Sequence, residues 1–187
     1  MHWAVNALPT MWWDTSKVSE LMIWVGTSGF RYPEWKGLFY PPELPERQML
    51  SYYANQFKAV EIDSTFYRMP SPRTVLAWRD ATPETFRFAL KAPQQITHRQ
   101  RLQVPSEALK YLLTTVPELG ARLGSVLYQL PPFFKCDLPR LKAFLEVLPS
   151  SLRYAFEFRH PSWFVREVYE LLENHGAILC IHDGQEG

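Results

Sequence analysis

The chain has 187 residues, 47% of them hydrophobic and 21% charged, with a formal net charge of +1. That suits one globular domain with a sizeable core, and the near-neutral balance, with a pI of about 7.8, leaves no whole-chain footprint for nucleic acid or an acidic membrane surface. Cys136 and Cys180 each stand alone in their segments, which excludes a disulfide framework or a cysteine-based zinc site and makes a reducing cytoplasm the expected compartment. No apolar run reaches the roughly 20 residues of a membrane-spanning helix, so no membrane partner is expected. The N-terminus shows no basic-then-apolar secretory pattern.

Residues 1–21 mix tryptophans with polar residues at no clear period, and they read as an extra, poorly ordered leader before a domain over 22–187. From Ile23 the pattern is regular. A short β-type run, Ile23 to Thr27, ends in the turn Gly26-Thr27-Ser28-Gly29. Met49, Leu50, Tyr53, Ala54 and Phe57 have helical spacing. Ala59 to Asp63 reads as a strand, and Ser71 with Pro72 opens a helix through Val75, Leu76 and Trp78. Phe86 to Lys91 is a strand stopped by Pro93, followed by a helix from Ser106 to about Val116. Ser125 to Leu130 is a strand stopped by Pro131-Pro132, and Asp137 caps the next helix. Tyr154 to Phe158 alternates as a strand, with Ser162 placed to cap a helix that runs to about Asn174. Ala177 to Ile181 is a sixth strand.

Strict β-α-β alternation predicts a parallel sheet with right-handed crossovers. Two architectures compete, a doubly wound open sheet and a (β/α)8 barrel. The first turn lacks Gly-x-Gly-x-x-Gly spacing, and a barrel predicts polar residues of one parity at the C-terminal ends of many strands. That parity is present. Glu61 and Asp63, then Lys91, Gln129, Glu157 with Arg159, and Asp183 share the face opposite the bulky apolar side chains of their strands. The chain therefore reads as α/β, a (β/α)8 TIM-like barrel with about six of its eight units.

Charged strand ends also form solvated ion pairs with no ligand at all. For several strands to bring polar groups to one end is costly unless something uses them. Glu61, Lys91 and Glu157 are the candidate catalytic set, because paired carboxylates beside a lysine suit general acid–base work on a polyol or sugar. Asp63, Thr65, Tyr67, Gln129, Arg159, His160, Trp163 and Asp183 are the candidate ligand-binding residues, for a small polar ligand such as a carbohydrate or a phosphorylated metabolite. No histidine pair has metal-ligand spacing, so no cofactor is expected and a divalent metal among Glu61, Asp63, Glu157, His160 or Asp183 is the minor alternative. There is no Gly-x-Ser-x-Gly elbow for a Ser-His-Asp triad. His98-Arg99-Gln100-Arg101, Arg68 and the loop aromatics Trp35, Phe39, Tyr40, Phe66, Tyr67, Phe133, Phe134 and Trp163 offer a different function, nucleic-acid binding without catalysis. The same aromatics could instead plug the mouth.

Val25-Gly26-Thr27-Ser28-Gly29-Phe30 with Trp35-Lys36-Gly37, Val60-Glu61-Ile62-Asp63-Ser64-Thr65-Phe66-Tyr67-Arg68, Leu127-Tyr128-Gln129-Leu130-Pro131-Pro132 and above all Ala155-Phe156-Glu157-Phe158-Arg159-His160-Pro161-Ser162-Trp163 resemble the YecE-like family. Phe86 to Pro93 with Ile96-Thr97-His98 belongs to the same set. The resemblance implies a TIM-like barrel and supplies no reaction. It also implies two further β-α units, so the expectation is a truncated barrel with open edges on its first and sixth strands, an inactive fragment or one completed by another chain or by self-association.

Overall fold

A computed structural model describes residues 23–183; the leader expected over 1–21 lies outside the described residues. Six strands form one sheet in the order β1-β2-β3-β4-β5-β6, and every neighbouring pair is parallel. They are β1 (Gly26–Ser28), β2 (Ala59–Ile62), β3 (Arg87–Lys91), β4 (Leu123–Gln129), β5 (Tyr154–Glu157) and β6 (Ile178–Leu179). Between them lie α1 (Met49–Gln56), α2 (Pro72–Asp80), α3 (Glu107–Thr115), α4 (Leu138–Glu146) and α5 (Arg166–Asn174). Sequential parallel order with one helix per crossover is the wall of a TIM-like barrel, five β-α units and a sixth strand among the described residues, as the alternation predicts.

The two faces of this wall differ as the period-2 reading requires. Val60, Ile62, Phe88, Leu90, Val126, Tyr128, Leu130, Tyr154, Phe156 and Phe158 are buried, and they meet the helices. Tyr128 packs edge-on to Phe144 of α4 at 5.0 Å, and Phe88 stacks with Trp78 of α2 at 6.2 Å. The opposite parity, with Glu61, Ala89, Lys91, Ser125 and Gln129, is half-buried. Among the described residues β1 pairs only with β2 and β6 only with β5, and the flanks carry exposed Ile23, Val25, Ile178 and Ile181.

Local chemistry explains the punctuation. Ser71, Ser106 and Asp137 cap α2, α3 and α4 by accepting from the backbone N–H three residues on. Gly26 has no room for a side chain, since a Cβ there would lie 1.9 Å from the Ala59 carbonyl oxygen. Gly29 turns the chain out of β1 at φ 77°, and a Cβ would press on the Tyr32 hydroxyl at 2.7 Å.

Two boundaries differ from the sequence reading in ways that move site residues. β2 stops at Ile62, and Asp63 begins a 3-10 turn, Asp63–Phe66. Ser162 caps no α-helix. It lies inside a 3-10 turn, Pro161–Trp163, which His160 caps by accepting from the Ser162 N–H, and α5 starts only at Arg166.

Candidate functional site at the C-terminal end of the sheet

The end of β5 is the most tightly built part. All four β5 residues are buried, and Glu157 is only 6% exposed. Arg159, two residues on and of the same parity, holds the Glu157 Oε1 from Nε and from a terminal guanidinium nitrogen, each at 2.5 Å. A buried carboxylate needs such a partner. Behind the pair the chain is pinned in place. Trp163 is fully buried, stacks on Phe158 at 4.7 Å and donates its indole N–H to the Phe134 carbonyl at 2.7 Å. His160 Nδ1 accepts from the Ser162 N–H at 3.1 Å and lies 2.8 Å from the Ser162 hydroxyl, whose oxygen accepts from the Cys136 N–H. An Nδ1 that accepts leaves the ring proton on Nε2. His160 and Trp163, expected to bind ligand, thus serve to fix the corner.

At β2, Glu61 is half-buried and its Oε1 accepts from the Ser28 hydroxyl at 2.9 Å, directly across the β1–β2 register. The Tyr32 hydroxyl in turn donates to the Ser28 carbonyl. Burial and then the charge of Asp63 push the Tyr32 phenol above its ordinary range. Asp63 itself does not continue the β2 parity. From its 3-10 turn it lines a cavity of about 360 Å³ with Gly29, Arg31, Tyr32 and Trp78.

Thr65 is buried and its hydroxyl reaches two backbone oxygens, Ile62 at 2.7 Å and Lys91 at 2.6 Å. It ties the turn to β3 and has no hydrogen left for a ligand. Tyr67 on the same segment is 75% exposed. Lys91 places its ammonium 5.3 Å from the centre of the Phe66 ring, and His98 meets that ring edge-on at 4.9 Å. Burial, then the nearby Lys91 charge, lower the His98 pKa from its ordinary 6.5, so its imidazole is neutral at pH 7. Its Nδ1 lies 2.9 Å from the Thr97 hydroxyl.

Gln129 pairs in register with Glu157. On β6 the register sets Ile178 beside Ala155 and Leu179 beside Phe156, so the inward parity runs through Ile178 and Cys180. The Cys180 N–H donates to the Phe156 carbonyl at 2.8 Å, continuing the ladder. Asp183 is exposed and lies beyond the end of β6 at Leu179, where strand parity no longer assigns a side. Cys180, next to the strand end, carries the inward parity. Burial raises its thiol pKa first, followed by the charges of Glu157 and Glu61, with Arg159 opposing.

The structure therefore gathers Glu61, Glu157, Arg159 and Cys180, sets Gln129 beside Glu157, and forms a Lys91–Phe66–His98 corner. It sets Asp63 in the lining of a cavity with Tyr32, whose phenol feels both Asp63 and Glu61. Sequence reasoning missed Ser28, His98 and Cys180 as neighbours of these groups. Among the described residues no three His, Cys, Asp or Glu side chains converge as a metal ion would need. The loop aromatics also divide. Trp35, Phe39 and Tyr40 pack with Tyr52, Tyr53 and Phe57 against the core, and Phe134 is buried. Tyr67 and Phe133, 75% and 66% exposed, are the two of the set left open to solvent.

Residues 24–187 match the family described as "Protein of unknown function DUF72". The chain belongs to that family. Among similar proteins, the UPF0759 protein YecE of Escherichia coli is 35% identical over 156 residues, covering 83% of this chain and 55% of that protein. The UPF0759 protein YunF of Bacillus subtilis is 32% identical over 158 residues, covering 80% of this chain and 55% of that protein. The chain thus spans about half the length of the curated relatives it matches. A crystal structure of a DUF72 family protein from Thermotoga maritima superposes with a TM-score of 0.72 at 36% identity, over 84% of this chain and 64% of that one. One from Enterococcus faecalis gives 0.54 at 26% identity, over 70% and 57%. No helix among the described residues is long and apolar enough to cross a membrane.

Proposed function

We propose that the C-terminal end of the sheet binds a small polyhydroxylated ligand, a carbohydrate or its phosphate. The observation that carries this reading is the Glu157–Arg159 ion pair at the end of β5, its carboxylate almost out of water and its guanidinium partly open to it, facing a half-buried Glu61. Desolvating a carboxylate and a guanidinium costs several kcal/mol even when they pair, an arrangement that suits recognition more than stability. Glu61 and Gln129 supply acceptors for ligand hydroxyls, and Arg159, 24% exposed, supplies donors. The Lys91–His98 corner suits the anionic end of a phosphorylated ligand, with the neutral His98 imidazole available to take a proton.

The test is thermal-shift screening of the chain against sugars, polyols and sugar phosphates, repeated with Glu157→Gln. A stabilising ligand whose shift disappears in Glu157→Gln is the expected result. A shift that survives the change removes Glu157 from the site.

Of the residues that offer nucleic-acid binding, Arg68 lines a cavity with Tyr111 and Trp78, apart from the cleft that contains Arg101 and Phe133.

A further inference from the structure

The loops after β3 and β4 form an open cleft of about 660 Å³, lined by Arg101, Phe133, Lys135, Asp137 and Arg140 among others. None of these residues belongs to the Glu61–Glu157 site. The Phe133 ring is 66% exposed, an unusual place for a large apolar side chain. The Arg101 guanidinium lies over the ring, 6.0 Å from its centre. Arg101 has φ 49° and Leu102 φ 64°, left-handed conformations that non-glycine residues seldom adopt. Leu102 is fully buried and its N–H donates to the Ile96 carbonyl at 3.0 Å, which keeps the loop from relaxing. The strained turn holds a cation against an exposed ring.

The charge around the ring is also uncompensated. Asp137 is the acid of the lining, and both its oxygens are committed. Oδ1 caps α4 at the Arg140 N–H, and Oδ2 pairs with Arg140 Nε at 3.1 Å. Arg101 and Lys135, both exposed, form no ion pair among the described residues. An aromatic platform flanked by free cations in a shallow, open groove matches an extended polyanion with unpaired π-faces. An inorganic anion has no use for the ring, and a duplex offers it no free base.

We propose that this cleft binds single-stranded nucleic acid, with one base stacked on Phe133 and adjacent phosphates held by Arg101 and Lys135. The test is fluorescence anisotropy of the whole chain with labelled oligo-dT, oligo-rU and a duplex of equal length, across a salt series. The expected result is single-strand binding that exceeds duplex binding and weakens with salt. Phe133→Ala weakens it about tenfold without changing the salt slope, and Phe133→Trp restores it. Arg101→Gln and Lys135→Gln each flatten the slope of log affinity against log salt by about 0.7. Circular dichroism checks that each variant is folded. Stronger binding to oligo-dT or to oligo-rU identifies the class of single strand preferred, DNA or RNA. The polyol reading is tested at Glu157 and this one at Phe133, Arg101 and Lys135, so failure of one and failure of the other are separable. No single-strand binding at low salt, or binding indifferent to Phe133→Ala and equal on duplex, overturns the proposal.

Discussion

Glu61 and Glu157 are the same residue type, on the same parity, near the C-terminal ends of two strands of one sheet, yet the fold treats them differently. Both strands are second from an edge of the sheet and paired on both sides. β5 is buried at every position, and the Glu157 Oε1 is gripped from two guanidinium nitrogens. Glu61 is half-buried and takes a single hydroxyl hydrogen bond from Ser28. Its second oxygen has no partner among the described residues. Burial and the arginine two residues on, not strand position, therefore sort the two carboxylates into a fixed charge and an available acceptor. In the proposed site, Glu157 with Arg159 sets the field and Glu61 does the contacting.

The largest expected effect comes from removing what holds the β5 corner. Trp163 is fully buried, stacked on Phe158 and hydrogen-bonded through its indole, so Trp163→Ala should cost about 4 kcal/mol in urea unfolding. The Glu61 corner contains nothing comparable. Next, Glu157→Ala leaves Arg159 without its partner and should cost about 2 kcal/mol, below the usual figure for a broken buried pair because Arg159 keeps contact with water. Glu61→Ala, which breaks one hydrogen bond at a half-exposed position, should cost under about 1 kcal/mol. Equal losses for the two glutamates would abolish the distinction between them.

Most of the wall was legible because period-2 alternation is strong wherever one face is aromatic. Phe86, Phe88 and Leu90 against Arg87, Ala89 and Lys91 leave no choice of face, and Ser71, Ser106 and Asp137 announce their helices. The errors fall where alternation carries no information. Asp63 continues the parity of Glu61 on paper, but a 3-10 turn begins at that residue and turns it toward Arg31 and Tyr32. Ala177 to Ile181 is apolar throughout, so only pairing with β5 decides which residues face inward. That pairing brings in Cys180, while Asp183 lies past the strand end, where parity assigns no side. Tyr40 and Trp163, read as loop aromatics of the mouth, are core residues, because a sequence with 15% aromatics uses most of them for packing.

Cys180 gives the finest measure of the difference between the two carboxylates, because its thiol responds to both. Burial raises its pKa most, then Glu157, then Glu61, while Arg159 pulls the other way. Alkylation by iodoacetamide needs the thiolate, so at neutral pH the native thiol should react slowly and accelerate as pH rises past its ordinary value of 9.0. Glu157→Gln removes the nearer negative charge and leaves the Arg159 charge unopposed. Both changes favour the thiolate, so the reaction at fixed pH should speed up about threefold. Glu61→Gln should act in the same direction but more weakly, and Arg159→Gln in the opposite one. A rate set by burial alone would be the same in all three variants and would mean that Cys180 does not share a field with the carboxylates. A Glu61→Gln effect larger than that of Glu157→Gln would reverse the sorting, making Glu61 the dominant charge of the site and Glu157 a carboxylate already neutralised by its arginine.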